Sequence, residues 1–312
     1  MGTSGKLSQI IYNKANGVLG VLIYTQYLMK MTISILKVRI MIKHFSFAYF
    51  ESYWLAGATI AEFYENSNLL LPEFWRDSRH QIEPRIFKPH KWTIMHEWIF
   101  YVFNFHHWYA DRHFDQRDIF SLESTIVEDA GVLLSEHPDF ELLNECNFCG
   151  ECAECSKYLE INEEIRYAWD DSVLALVHTV FHLFMNNKKF LRDFNEHISE
   201  CIESDSDILI ENPEHFVNGK IRRVSWPKWL ERAIIYRDKG VCSICRKDVS
   251  GTLNLENKYA IDHIVPISNY GNNDPTNLQL LCWICNGIKS NKTTETNNID
   301  IPLWYVESDM LI

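Results

Sequence analysis

Residues Tyr259–Thr293 read YAIDHIVPISNYGNNDPTNLQLLCWICNGIKSNKT. Two apolar runs sit inside this polar stretch. Ala260–Val265 has strand character and Pro266 ends it. Leu278–Leu281 supplies a second strand. From Trp283 the chain suits a short helix, on which Asn286 and Lys289 at i and i+3 share one face. The pattern predicts a β-β-α unit with a long loop between its strands. Several side chains in it are unusual for core: the Asp262-His263 pair, Asn277, Asn286, Lys289 and the pair Cys282-x-x-Cys285.

A matching pair, Cys242-x-x-Cys245, lies upstream, with 36 residues between Cys245 and Cys282. Each pair can wrap a turn around one ion, and four thiolates complete a closed tetrahedral zinc site. A segment this small buries little apolar area, so zinc replaces core as the element that holds it together. The preceding SWPKWLERAIIYRDKG, Ser225–Gly240, predicts a helix. Ser225 suits its N-cap and Pro227 its first turn, with Trp229, Ala233 and Tyr236 on one face and Gly240 at the end.

Through CSIC, IDHIVP, NLQLLC and CNGIKSNK, the stretch from Trp226 to Thr293 resembles the HNH endonuclease family in its zinc-stabilised form. The likeness covers under a quarter of the chain. Its three defining positions fall on His263, Asn277 and Asn286, the last being Asn where the family name has His. The resemblance implies a ββα-metal fold, phosphodiester hydrolysis in DNA, and a middle Asn, Asn277, that fixes the ring of the base. The residues suit that chemistry. His263 can take a proton from water near neutral pH. Asp262 and the amide oxygen of Asn286 are hard ligands for Mg²⁺ or Mn²⁺. Lys289 can contact the phosphate. Adjacent strand residues point to opposite faces, so Asp262 and His263 act together only if the strand bends there. Taken singly, each residue also reads as a surface pair, a turn cap or a solvated charge. Their order between two cysteine pairs is what distinguishes them.

The whole chain has 312 residues, 46% hydrophobic, 23% charged and 13% aromatic, enough for two domains with a real core. Its net charge of −12 is uneven. Residues 221–312 hold 11 Lys/Arg against 10 Asp/Glu, whereas residues 1–220 hold 19 against 32. Phosphate affinity comes mainly from Lys/Arg, so a DNA-binding role belongs to the C-terminal part. The acidic part instead suits a protein partner, as a sensing, regulatory or targeting module. The expected organisation is α+β: a mostly helical domain over 1–220, the nuclease domain over 221–296, and a tail over 297–312. The boundary falls near Asn218-Gly219, after an acidic loop at Glu200–Glu214. Pro84 and Pro89 are expected to break the helical pattern of the first part.

Eight of the nine cysteines fall in x2 spacings, which favours metal sites over disulfides and a reducing, cytoplasmic setting. Cys146, Cys149, Cys152 and Cys155 form the second group. Two knuckles holding a second Zn²⁺ and an iron–sulfur ligation are both open, although ferredoxin-type runs use x3 before the fourth Cys. His178 and His182, at i and i+4, are either a ligand pair or core histidines. Val18–Ile42 is apolar, but Lys30, Lys37 and Arg39 interrupt it, which favours a buried element over a membrane anchor. The leading reading is a metal-dependent HNH endonuclease in phage defence, restriction or a mobile element, or a toxin-like effector held silent by its first domain. The alternative keeps the fold as a non-catalytic, zinc-stabilised nucleic-acid-binding module.

Overall fold

In a computed structural model, the structure describes residues 50–251 and 258–296. The segment Val18–Ile42 and the expected tail 297–312 lie outside them. The chain divides into two compact units, residues 1–49 with 110–176 and residues 50–109 with 177–312. Among the described residues no helix is long and apolar enough to cross a membrane.

The second unit begins with helices α1 (Phe50–Tyr64), α2 (Ser67–Phe87) and α3 (Ile94–His113). Leu70, Leu71, Phe74, Ile82 and Ile86 recur at three- and four-residue spacing and are buried. Pro84 does not break α2; it lies in the last turns, and the helix ends at Phe87. The stop comes from Pro89, which forces Lys88 into extended backbone at φ −140°.

The first unit holds α4 (Gln116–Asp129), the short α5 (Phe140–Glu145) and the start of the long α6 (Ala153–Phe184). Phe120, Val127, Ile161 and Ile165 form its core, with Phe140, Tyr158 and Trp169 packed on them. Asp115 and Asp139 cap α4 and α5 by accepting hydrogen bonds from backbone N–H groups of the first turn.

In the second unit α7 (Lys188–Ser204) buries Phe190, Leu191, Phe194, Ile198 and Ile202 along one stripe. The acidic stretch expected to be a loop is helical. It continues α7 to Ser204 and then forms α8 (Ser206–Glu211), capped by Asp205. Its charge is tolerated because Arg79 of α2 sits between Asp205, at 3.3 Å, and Glu211, at 2.7 Å. The Asn218-Gly219 dipeptide expected at a boundary is a hairpin turn inside this unit. It joins β1 (Phe216–Val217) to β2 (Lys220–Ile221), and both turn residues have positive φ, 51° and 72°. That is the backbone Asn-Gly supplies best.

Next comes α9 (Lys228–Arg237), started by Pro227 with no side-chain cap, so Ser225 does not play the expected part. Two faces of α9 are in use. Leu230 and Ile234 enter the small core with Val249, Leu278, Leu280 and Leu281. Trp229, Ala233 and Tyr236 do share a face, but it lines an open cleft, and Tyr236 is 87% exposed. Strands β3 (Tyr259–His263) and β4 (Leu278–Cys282) pair antiparallel, with Asp262 opposite Gln279 and His263 opposite Leu278. Helix α10 (Trp283–Lys289) packs on both strands and α9 packs on β4. The expected β-β-α unit is therefore present.

Candidate active site and metal centres

The zinc-type site is assembled by the turn after α9 and the start of α10. Cys242 and Cys245 lie on a tight turn, closed by Arg246 N–H to Cys242 O at 3.0 Å and Cys242 N–H to Lys247 O at 2.9 Å. Arg246 takes positive φ, 64°. Cys282 is the N-cap of α10, its Sγ accepting from the Cys285 N–H at 3.4 Å. The four sulfurs lie within 4.8 Å of one another, with Cys245 Sγ 3.8 Å from Cys282 Sγ. Four thiolates about 2.3 Å from one ion stand about 3.8 Å apart, so the set fits a single tetrahedral zinc.

The group in the first unit is built the same way. Cys146 and Cys149 lie on a turn whose next residue, Gly150, has φ 81°, the place Arg246 takes in the first site. Cys152 immediately precedes α6, and its Sγ accepts from the Cys155 N–H at 3.5 Å. Sulfur separations of 3.6, 3.8 and 3.6 Å join Cys146 to Cys155, Cys149 to Cys155 and Cys152 to Cys146. Asn147 and Phe148 are held in left-handed backbone, φ 52° and 51°. Such strain costs about 1–3 kcal/mol per residue and persists where something else fixes the turn. Both cysteine groups are compatible with structural zinc.

His263 ends β3 and is 1% exposed. Its ring lies 5.2 Å from the Trp226 ring, and its Nε2 is 3.2 Å from Asn273 Oδ1. Nδ1 is buried and has no hydrogen-bond partner. Burial first, then the charge of Arg223, pushes the imidazole pKa down to about 3, with the Asn273 contact working the other way. The ring is therefore neutral at physiological pH, with a lone pair to offer.

Asn277, expected to fix this ring, holds the backbone beyond it instead. Its Oδ1 accepts from Val265 N–H at 2.8 Å, and its Nδ2 donates to the carbonyls of Val265, 3.1 Å, and Asn272, 2.9 Å. The Ile264 N–H reaches Asn277 O at 2.7 Å. The strand thus leaves its ladder one residue after His263, where Asn277 clips it. Gly271 completes the clip: a Cβ there would stand 2.0 Å from the Val265 carbonyl oxygen, so no side chain fits.

Asp262 points to α10. Its Oδ2 lies 2.9 Å from Lys289 Nζ, a buried ion pair. Lys289 Nζ donates to His263 O at 2.8 Å. The lysine is 1% exposed, so the expected phosphate contact does not fit its surroundings; both partners are inside the protein. Asn286, half-buried, is one turn earlier on the same helix. A carboxylate and an amide oxygen are hard donors of the kind a divalent cation takes, and the carboxylate is already neutralised by Lys289.

The loop between the strands is buried from Gly271 to Asn277 although it is almost wholly polar. Its partners come from the helices. Asn272 Nδ2 donates to Asn195 Oδ1 of α7 at 3.0 Å, and the Ile94 N–H of α3 donates to Asp274 Oδ2 at 2.9 Å. Asp238, at the end of α9, accepts from Lys188, Arg237, Ser243 and the Leu280 N–H. Sequence reasoning missed Asn273 and Asp238. A run of Asn-Asn-Asp before Pro carries the signal of an exposed turn, and nothing in its pattern announces burial.

His178 and His182 are not placed with the nuclease residues. His178 Nδ1 lies 2.8 Å from His96 Nε2, and His178 and His182 line a cleft with Trp229 of α9. None of Asp262, His263 or Asn286 lines that cleft. Among the described residues only the two cysteine groups meet the geometry of a metal cluster.

Residues 242–292 match the family model described as HNH endonuclease. The C-terminal part of this chain is thus an HNH domain of the zinc-stabilised form, joined to a mostly helical N-terminal region. No curated protein and no solved structure matches the chain.

Proposed function

We propose that this protein is a divalent-metal-dependent DNA endonuclease. His263 is the general base, its Nδ1 taking a proton from the attacking water. Asp262 and Asn286 hold Mg²⁺ or Mn²⁺ through oxygen. When bound, the ion polarises the scissile phosphate and stabilises the 3′ leaving oxygen. Asn277 shapes the turn that presents His263, and Lys289 steadies Asp262 and the His263 carbonyl from within. Zinc at Cys242, Cys245, Cys282 and Cys285 holds the unit together. We assign zinc rather than an iron–sulfur cluster to Cys146, Cys149, Cys152 and Cys155. In a cluster the thiolates bind different irons and stand further apart than the edges of a one-metal tetrahedron. The helical region positions the nuclease and suits a protein partner; phage defence, restriction and a mobile element all fit such an enzyme.

The observation that carries this reading is a neutral, partly unpartnered His263 imidazole next to the Asp262 carboxylate on one ββα unit. Purified protein is expected to nick or cut plasmid DNA with Mg²⁺ or Mn²⁺ and to stop on chelation. His263→Ala is expected to abolish cleavage with zinc content unchanged. Equal cleavage by variant and wild type removes His263 from the mechanism. The burial of His263 under Trp226 favours the second reading, a non-catalytic nucleic-acid-binding module. DNA binding without cleavage under any divalent cation would establish it.

A further inference from the structure

Asn273 lies in the loop between the strands and makes three side-chain contacts. Its Oδ1 faces His263 Nε2 at 3.2 Å. Its Nδ2 donates to Phe87 O at 3.0 Å and to Arg222 O at 2.9 Å. Its backbone N–H donates to Ile86 O at 2.9 Å. The residue is fully buried.

These contacts decide which way the amide points. Two carbonyl oxygens can be satisfied only by an N–H₂ group, so the amide oxygen must be the atom that meets the ring. An amide oxygen accepts and cannot donate. His263 must then carry its proton on Nε2, which leaves Nδ1 as the lone-pair nitrogen. That is the ring atom with no partner.

We propose that Asn273 is a positioning residue for His263, fixing the tautomer and ring plane of the base, and that the amide is itself set by residues outside the HNH match. Phe87 ends α2, and Arg222 follows β2; neither lies within 242–292. Each neighbouring contact supports the placement. Phe87 stacks on His215 at 4.4 Å, and the Arg222 N–H is bonded to His215 O at 2.7 Å. The two carbonyls that hold Asn273 are therefore tied to one another through His215. The helical region builds part of the active site rather than only carrying it.

The assignment rests on reading His263 as the general base, and two measurements keep the two claims apart. The first uses ¹⁵N-histidine-labelled full-length protein, with His263 identified by its loss in His263→Ala. The wild-type ring is expected as the Nε2–H tautomer. In Asn273→Ala, with zinc content retained, the signal is expected to move toward a mixture of both tautomers. The second is plasmid cleavage, in which Asn273→Ala is expected to lower kcat by about 10- to 100-fold with KM within about twofold. An Nδ1–H ring in the wild type overturns the proposal, even if the variant does not fold. So does an Asn273→Ala protein with unchanged tautomer and kcat. If wild-type protein shows the Nε2–H ring and the tautomer shift but cuts no DNA, the positioning stands and the nuclease reading falls.

Discussion

Asp238 offers the sharpest test of how the HNH unit is attached. Its carboxylate is 2% exposed and lies between Lys188 of α7 and Arg237 of α9. It also accepts from Ser243 Oγ at 3.2 Å and from the Leu280 N–H of β4 at 2.8 Å. One side chain thus joins a helix of the N-terminal region, the helix before the zinc site, and a strand of the ββα unit. Replacing it with Asn keeps the shape and removes the charge. Lys188 and Arg237 then lose the buried carboxylate that lies between them. Breaking a buried pair from one side costs about 3–5 kcal/mol, and the total stability of a domain is about 5–15 kcal/mol. Asp238→Asn is therefore expected to lose at least about 3 kcal/mol in urea unfolding, with a lower transition midpoint. The pH dependence follows. Burial pushes this carboxyl up, but Arg237 and Lys188 outweigh it and hold the pKa well below the ordinary carboxylate range. A depressed pKa gives stability that is complete above the unfolded value and is lost as pH falls through the folded one. Wild type should thus weaken steadily below about pH 4, and the variant should lack that part of the loss. A cost under about 1 kcal/mol, with the same acid slope in both proteins, would refute the role of Asp238 as a link.

Asp274 has the opposite sign: burial raises its pKa to about 6, against the pull of Thr276, the Ile94 N–H and Arg85. Its contribution to stability is present below about pH 4 and lost as pH rises through about 6, and Asp274→Asn should flatten that part of a melting-temperature profile. Metal analysis of wild type should find two zinc ions per chain, and of Cys149→Ser one; iron in place of the second would return the cluster reading. A fragment of residues 221–312 should bind its zinc but cleave at least about tenfold more slowly than full-length protein, because Asn195, Phe87, Ile94 and Lys188 are gone from around its loop. Faster cutting by the fragment would show instead that the helical region holds the nuclease silent.

Much of the nuclease unit was legible in the sequence, for local reasons. Two apolar runs of strand length, a cysteine pair opening a helix and a second pair on a turn each have a short-range signature. Residue spacing alone therefore set the β-β-α order and the four thiolates around one point. The helical character of residues 50–195 followed from apolar periodicity in the same way. The errors have equally physical sources. Pro84 was expected to end a helix that only Pro89 stops. The acidic run before Asn212 was expected to be a loop, because its counter-charge on Arg79 is more than a hundred residues away.

What the sequence by itself determined is the chemistry available: two sets of four thiolates compatible with zinc, and Asp262, His263 and Asn286 as the groups proposed for hydrolysis. Tertiary structure alone decided how those groups are held. It placed Asn273 rather than Asn277 on the His263 ring, turned Lys289 inward onto Asp262, and buried a polar loop against α2, α3 and α7. Spacing along a chain constrains partners a few residues apart. A buried polar atom must find its partner wherever the fold brings one, and for this loop the partners lie 51 to 186 residues away.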